Sequence, residues 1–201
     1  MLHVLRRIVL EVGAAGNLTE ALEIIVRRVK QELAIDVCSV YLRDPDGDDR
    51  RLLLMASEGL NPEAVGHVIM NAGEGLVGLV AERAEPVNLE NAPDHPRFKY
   101  FPETGEERYH AFLGVPIVHH RRLLGVLVAQ QRERRRFDDE HVAFLITLAA
   151  QLAGAISHAE LIGEVDNRRE VLKQENVQIR GIPGAAGVAV GQGVVAYALA
   201  D

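Results

Sequence analysis

Residues 73–98 read GEGLVGLVAERAEPVNLENAPDHPRF, and the choice of fold turns on them. Gly73, Gly75 and Gly78 match G-x-G-x-x-G, the glycine pattern of a dinucleotide-binding turn between a strand and a helix. Their surroundings speak against that reading. The helix opening at Gly75 is stopped by Pro86, Glu90 follows the next strand too closely to reach a ribose, and Glu74 would repel a pyrophosphate. Two meanings remain for the glycines. Backbone N–H groups at Gly75, Leu76 and Val77 open a helix, which favours a small anion; alternatively the glycines serve close packing alone.

Working outward, the neighbouring strands predict hairpins rather than βαβ units. In DVCSVYLRD (36–44), Val37, Ser39 and Tyr41 alternate with Cys38, Val40 and Leu42, a strand period. The turn DPDGDD joins it to RLLLMAS (51–57), so residues 36–57 read as an antiparallel hairpin. GHVIM (66–70) and PVNLEN (86–91) are short extended segments, and AFLGVPIV with LLGVLVAQQ makes a second hairpin across His119–Arg122. Residues 92–110, with three prolines and mixed polarity, predict a long loop or lid.

Helices bracket this core. Val4, Ile8, Leu10 and Val12 share a helical face ending near Gly13 and Gly16. Asn17 or Thr19 caps a second helix, whose apolar set is Leu22, Ile25, Val26, Val29 and Leu33. From Asp138 or Asp139 a long helix begins, with Leu145, Leu148, Leu152, Ala155, Ala159 and Ile162 forming a coiled-coil-like seam. Val165, Leu172 and Ile179 continue it at spacing 7 through a helical connector, residues 163–180. The fold class expected is α+β: an antiparallel sheet of about five or six strands with the N- and C-terminal helices on one face.

Composition narrows the function. The 201 residues are 48% apolar and 25% charged, and 22 Lys+Arg against 29 Asp+Glu give a net charge of -7. That balance disfavours a phosphate backbone as partner, and 4% aromatics without Trp give little for base stacking, so no nucleic acid is expected. Arg121–Arg122 and Arg132–Arg136 bracket one strand, roughly 30 Å apart at about 3.3 Å per residue, so they form no single basic stripe. They predict a solvated hairpin end or a partner contact. No apolar run is expected to span a bilayer and no signal peptide is read at LHVLRRIVLEVG, which points to a cytoplasmic protein away from the membrane. Cys38 alone excludes an internal disulfide and a cysteine metal cage. His119 and His120, extended, would point to opposite faces and could not share an ion, and no metal site is expected among the eight histidines.

Three segments resemble a GAF domain. They are residues 73–98, the paired strands FLGVPIVHHRRLLGVLVAQ (112–130), and the closing helix FDDEHVAFLITLAAQLAGAISHAEL (137–161). Together they place a GAF-like sensory domain over residues 1–162. IRGIPGAAGVAVGQGVV (179–195) resembles the opening of the enzyme I segment of phosphoenolpyruvate–protein phosphotransferases, so residues 181–201 are read as its truncated start. A GAF domain joined to that segment is the arrangement of the nitrogen-related enzyme I. The resemblance implies a regulatory domain preceding an enzyme that takes a phosphoryl group from phosphoenolpyruvate and passes it to a phosphocarrier protein. Mg and phosphoenolpyruvate are implied only for the catalytic part, and no cofactor or catalytic residue is expected within this chain. Ser157–His158, mid-helix, is read as structural. One cysteine argues against the redox and bilin-binding variants of the fold.

The candidate ligand site lies under the lid. Phe98, Tyr100, Phe101, Tyr109 and Phe112 are over half of the chain's aromatics. Either they plug the sheet, or Phe98, Tyr109 and Phe112 wall a small-molecule cavity with Asn88, Glu90, Asn91 and Asp94 as polar groups and Gly75, Leu76 and Val77 at its edge. The expected ligand is a small nitrogen metabolite, glutamine being what the resemblance implies. The alternative is an interaction module that dimerises through its terminal helices and binds no small molecule.

Overall fold

The computed structural model describes the backbone of residues 2–44, 50–180, 186–190 and 194–198, with side chains over 3–44 and 50–160. Two units emerge, Met1–Ser157 and His158–Asp201. The first unit carries α1 (Leu2–Gly13), α2 (Leu18–Leu33), β1 (Val37–Arg43), β2 (Arg51–Glu58), β3 (Ile69–Asn71), α3 (Gly75–Arg83), β4 (Val87–Leu89), β5 (Ala111–His119), β6 (Arg122–Gln131) and the start of α4 (Asp139–Arg180). The second holds the rest of α4 and an antiparallel pair, β7 (Ala186–Val190) and β8 (Val194–Ala198). Side chains of the seam beyond residue 160 and of the enzyme I-like segment, and the turn 45–49, lie outside the described residues.

The sheet has six strands in the order β3-β2-β1-β6-β5-β4, all pairs antiparallel. This is the α+β class that strand alternation predicts, and no βαβ unit interrupts it. Local chemistry sets the helix ends. Asn17 accepts from the Glu20 backbone N–H at 2.9 Å, fixing the start of α2 at the first of its two candidate caps. Asp138 does the same for α4, accepting from His141 N at 2.9 Å, and these contacts hold its carboxyl below the usual range.

The sheet is covered on both faces. Against one face, α1, α2 and α4 bury Ile8, Leu22, Ile25, Leu145, Leu148 and Leu152 on Cys38, Val40, Leu113, Val115 and Leu127. Against the other, α3 and the lid pack on Val37, Tyr41, Leu54, Val126 and Val128. Two apolar patterns differ from expectation. Leu10 is 64% exposed, because α1 turns Ile8, Val4, Leu5 and Val12 inward instead. Residues Asp139–Glu160 of α4 are long and apolar enough to cross a membrane by length and composition, contrary to the sequence reading. Their apolarity is that of a core helix, since Phe144, Leu145, Leu148, Ala149, Leu152, Ala153 and Ile156 are buried on the sheet.

The β5–β6 turn corrects a third expectation. His120 and Arg121 have φ of 47° and 66°, so two residues turn the hairpin with left-handed backbone. His120 is therefore not extended, and its ring lies 4.0 Å from that of His119 rather than on the opposite face. Among the described residues, no three His, Cys, Asp or Glu side chains gather as metal ligands.

At the centre, β6 runs against β1 with Leu42 opposite Gly125. A Cβ on Gly125 would sit 2.1 Å from the Tyr41 carbonyl oxygen, inside the body of the sheet. Gly125→Ala should therefore destabilise the domain by about 3 kcal/mol, the upper end of an overpacking penalty. Urea denaturation checks this, and a loss below about 0.5 kcal/mol would show that the β1–β6 pairing yields easily.

Candidate functional site

The glycine run at 73–78 builds one wall of the site. Gly73 and Gly75 adopt φ of 86° and 64°, and a Cβ on Gly78 would meet the Asn71 carbonyl oxygen at 2.5 Å. Each glycine thus has a backbone reason. Glu74 precedes the first turn of α3, and its carboxylate accepts from Asn71 N and Nδ2, both at 3.0 Å, and pairs with Lys99. The Lys99 hydrogen bond first, then the Asn71 backbone N–H, hold its pKa below normal. The helix start therefore already carries a negative charge.

Residues 92–110 include two short 3-10 turns, Ala92–Asp94 and Glu106–Arg108. The C-terminal half is fastened to the body. Asn61 donates from N to Thr104 O and from Nδ2 to Glu103 O, both at 3.1 Å. Tyr109, 4% exposed, donates its hydroxyl to Gly59 O at 2.9 Å, and Arg132 lies over its ring at 6.0 Å. The N-terminal half is held across α3 by ion pairs at the surface, Lys99–Glu74 and Arg97–Glu82 (2.8 Å), with Arg97 also donating to Gly73 O. Exposed pairs of this kind contribute about 0–1 kcal/mol each.

Between α3, this segment and the sheet lies a small cavity. Its apolar lining is Met70, Leu76, Val77, Phe98, Phe101 and Phe112, and its polar lining is Lys99, Glu106 and Gln130. The free volume is about 10 Å³, room for about one water. Phe98 and Phe101 fill the rest.

Glu106 is the unusual group. It is 8% exposed, and its Oε2 accepts from Gln130 Nε2 at 3.4 Å, a long hydrogen bond. Burial pushes its carboxyl up to about 7, against the opposing pull of donors from Gln130 and the Phe101 backbone, with Glu107 adding repulsion. Tyr41, 2% exposed, is likewise pushed up by burial and then by the charge of Glu106.

Of the residues marked in the sequence, the fold brings Leu76, Val77, Phe98 and Phe112 together around this cavity. Gly75 lies beside it, its missing Cβ 3.6 Å from the Phe101 ring. The others are elsewhere. Asn88 donates from Nδ2 to Phe137 O at 2.7 Å and accepts from Phe137 N at 3.2 Å, pinning the chain that leads into α4. Asn91 Oδ1 is 2.9 Å from His110 Nδ1, while Glu90 and Asp94 are exposed and Tyr109 anchors the lid. Glu106, Gln130, Met70 and Lys99 were not foreseen. Gln130 carries a legible signal, because it shares strand parity with buried Val126 and Val128 on an apolar face. Glu106 carries none, since it stands in the polar run Glu106-Glu107-Arg108. The arginines expected at a solvated hairpin end or a partner contact are largely exposed, Arg121, Arg122, Arg132, Arg134 and Arg136 among them; the Arg132 backbone N donates to Asp36 Oδ2, Arg135 to Gln131, and Arg136 to Asn88 O.

A six-stranded antiparallel sheet flanked by three helices on one side and by a short helix and a lid over a small cavity on the other is a GAF-like α+β fold. The GAF domain model matches residues 17–156, and the chain belongs to that family. Within the family it is similar to the GAF domains of phosphoenolpyruvate–protein phosphotransferases. The structure of that domain from Coxiella burnetii is 48% identical with a TM-score of 0.76, covering 81% of this chain and 96% of that one. The Acinetobacter counterpart is 47% identical with a TM-score of 0.73, covering 81% and 96%. A protein of the phosphoenolpyruvate-dependent phosphotransferase system of Escherichia coli K12 is 46% identical over 193 residues, 96% of this chain and 25% of that protein. The chain spans about a quarter of the length of the curated relatives it matches.

The raised pKa of Glu106 fixes the sign of a pH dependence. Between the ordinary carboxyl range and about 7 the folded state holds a proton that the unfolded state has released. Stability therefore falls as pH rises through that window. Glu106→Gln should remove the decline, so that wild type loses about 3 kcal/mol relative to the variant between pH 4.5 and 7. Parallel denaturant titrations at several pH values measure the difference; a pH-independent gap would mean that the carboxyl is solvated.

Proposed function

We propose that this chain is a regulatory, ligand-sensing GAF domain that controls phosphoenolpyruvate-dependent phosphoryl transfer by an enzyme I-like partner segment in nitrogen signalling. The observation that carries the reading is the polar pair Glu106–Gln130 buried in a largely apolar cavity and covered by a segment that is tied at both ends, at Ala92 and over residues 103–109, and held between them across α3 mainly at the surface. Packing alone has no use for a carboxyl whose desolvation is compensated by so few donors. In the structure described Phe98, Phe101 and Phe112 line the cavity, and about 10 Å³ is left free. Ligand pockets commonly measure about 300–1,000 Å³, so a metabolite enters by moving the Phe98 side of the lid, which is restrained across α3 by exposed ion pairs, the Arg97–Gly73 hydrogen bond and the packing of Phe98 and Phe101.

Glutamine is the metabolite that the family resemblance favours. Its binding would move the lid and α3, and a change passed along α4 would bias the phosphotransferase, by as much as the ligand's affinities for the two states differ. The phosphocarrier protein, Mg and phosphoenolpyruvate belong to that catalytic part. The setting proposed is the cytoplasm.

A second reading, dimerisation through the terminal helices, is favoured by a separate feature. Val9, Val12, Ile25, Leu148, Leu152 and Ala155 line an apolar hollow of about 160 Å³ between α1, α2 and α4, with Leu10 and Ile146 exposed on neighbouring turns. Both roles are compatible in one domain.

Titration calorimetry with glutamine tests the first reading. Saturable binding is expected, and Lys99→Ala should alter affinity by a few-fold by loosening the closed lid; silence with both glutamine and 2-oxoglutarate would sink the sensing claim. Light scattering with and without residues 163–201 tests the second. A dimer is expected, and a monomer at all concentrations would exclude it.

A further inference from the structure

The half of the lid that is fastened carries the cavity's acid. Glu106 sits between Thr104, fully buried and held to Asn61, and Tyr109, held to Gly59, so it keeps its position if residues 95–100 move. Its carboxyl takes one long hydrogen bond from Gln130 and one from the Phe101 backbone. A carboxylate offers about four lone-pair sites, so it retains unused accepting capacity inside the cavity.

We propose that Glu106 is the specificity-determining residue of this cavity, its carboxyl receiving the N–H donor end, an ammonium or primary amide, of a small polar ligand. The proposal rests on the sensing reading above and names the chemistry that the site selects. The surroundings narrow the choice. Tyr41 faces Glu106 from β1 and Gln130 from β6, Leu76 and Val77 line the wall from α3, Lys99 stands on the lid, and Glu107 follows on the same turn. Lys99 already pairs with Glu74, so the ligand supplies the donor that Glu106 lacks.

A proton is coupled to this choice. An ammonium or amide is held best by the carboxylate, so its binding expels the proton of Glu106 to solvent. A dicarboxylate without an N–H meets the same oxygens favourably only when they are protonated, so its binding takes a proton up. The carboxyl titrates at about 7, and the affinity for a donor-bearing ligand therefore rises between pH 6 and pH 8 while that for an anionic one falls.

The experiment is calorimetric titration of the whole chain with L-glutamine and, separately, with 2-oxoglutarate at pH 6, 7 and 8. Each is run in two buffers of different ionisation enthalpy, which counts the protons exchanged. Wild type should bind glutamine with proton release, and any 2-oxoglutarate binding should show the opposite sign. Glu106→Gln, nearly isosteric, should melt no lower than wild type at pH 7, lose the proton exchange and weaken glutamine by about tenfold or more. Gln130→Leu should move the pH midpoint of glutamine binding upward, because it removes a donor from the carboxylate. Glutamine binding with no proton exchange, or exchange that survives in Glu106→Gln, would overturn the assignment of Glu106 and leave sensing intact. No binding of either ligand to wild type would overturn the sensing reading and this assignment together.

Discussion

Burial of β1 on both faces is the constraint from which the rest of the first unit follows. Successive strand residues point to opposite sides, so Cys38, Val40 and Leu42 enter one core while Val37 and Tyr41 enter another. A strand apolar on both sides needs cover on both. Three helices supply one cover with long apolar stripes. The other cover comes from a nine-residue helix and a segment with little regular structure. The thinner layer has fewer contacts to hold it closed, and the cavity lies there.

The same asymmetry explains what the sequence revealed. Hairpins at 36–57 and 111–131, the capping residues Asn17 and Asp138, and the stop at Pro86 are local signals, each complete within a few residues. Contacts between distant segments leave no such mark. Asn88 resembles a ligand group until Phe137 is seen beside it, and Tyr109 resembles a cavity wall until its hydroxyl is traced to Gly59. Leu10 fits the helical face of α1 by type but is carried off it by the helical angle. Glu106 was hidden for a physical reason: an acid in a polar run reads as solvated, and only the packing of Tyr41, Phe101 and Gln130 around it removes the water.

The lid joins two kinds of fastening. Its later half is tied by buried side chains and backbone hydrogen bonds, which water cannot easily replace. Its earlier half spans α3 through Arg97 and Lys99, whose exposed pairs are screened by salt. A buried carboxyl that lowers stability at neutral pH belongs to the fixed half, so any compensating donor finds it in place. Sensing would then amount to exchanging Phe98 and part of the Phe101 contact for a polar molecule that satisfies Glu106.

Amide hydrogen exchange of the chain, with and without saturating glutamine, tests this division most directly. The account predicts fast exchange at residues 95–101 in the free protein and marked slowing on binding, with residues 103–110 protected in both states. Equal protection of the two halves in the free protein, or a ligand effect confined to residues outside the lid, would contradict it.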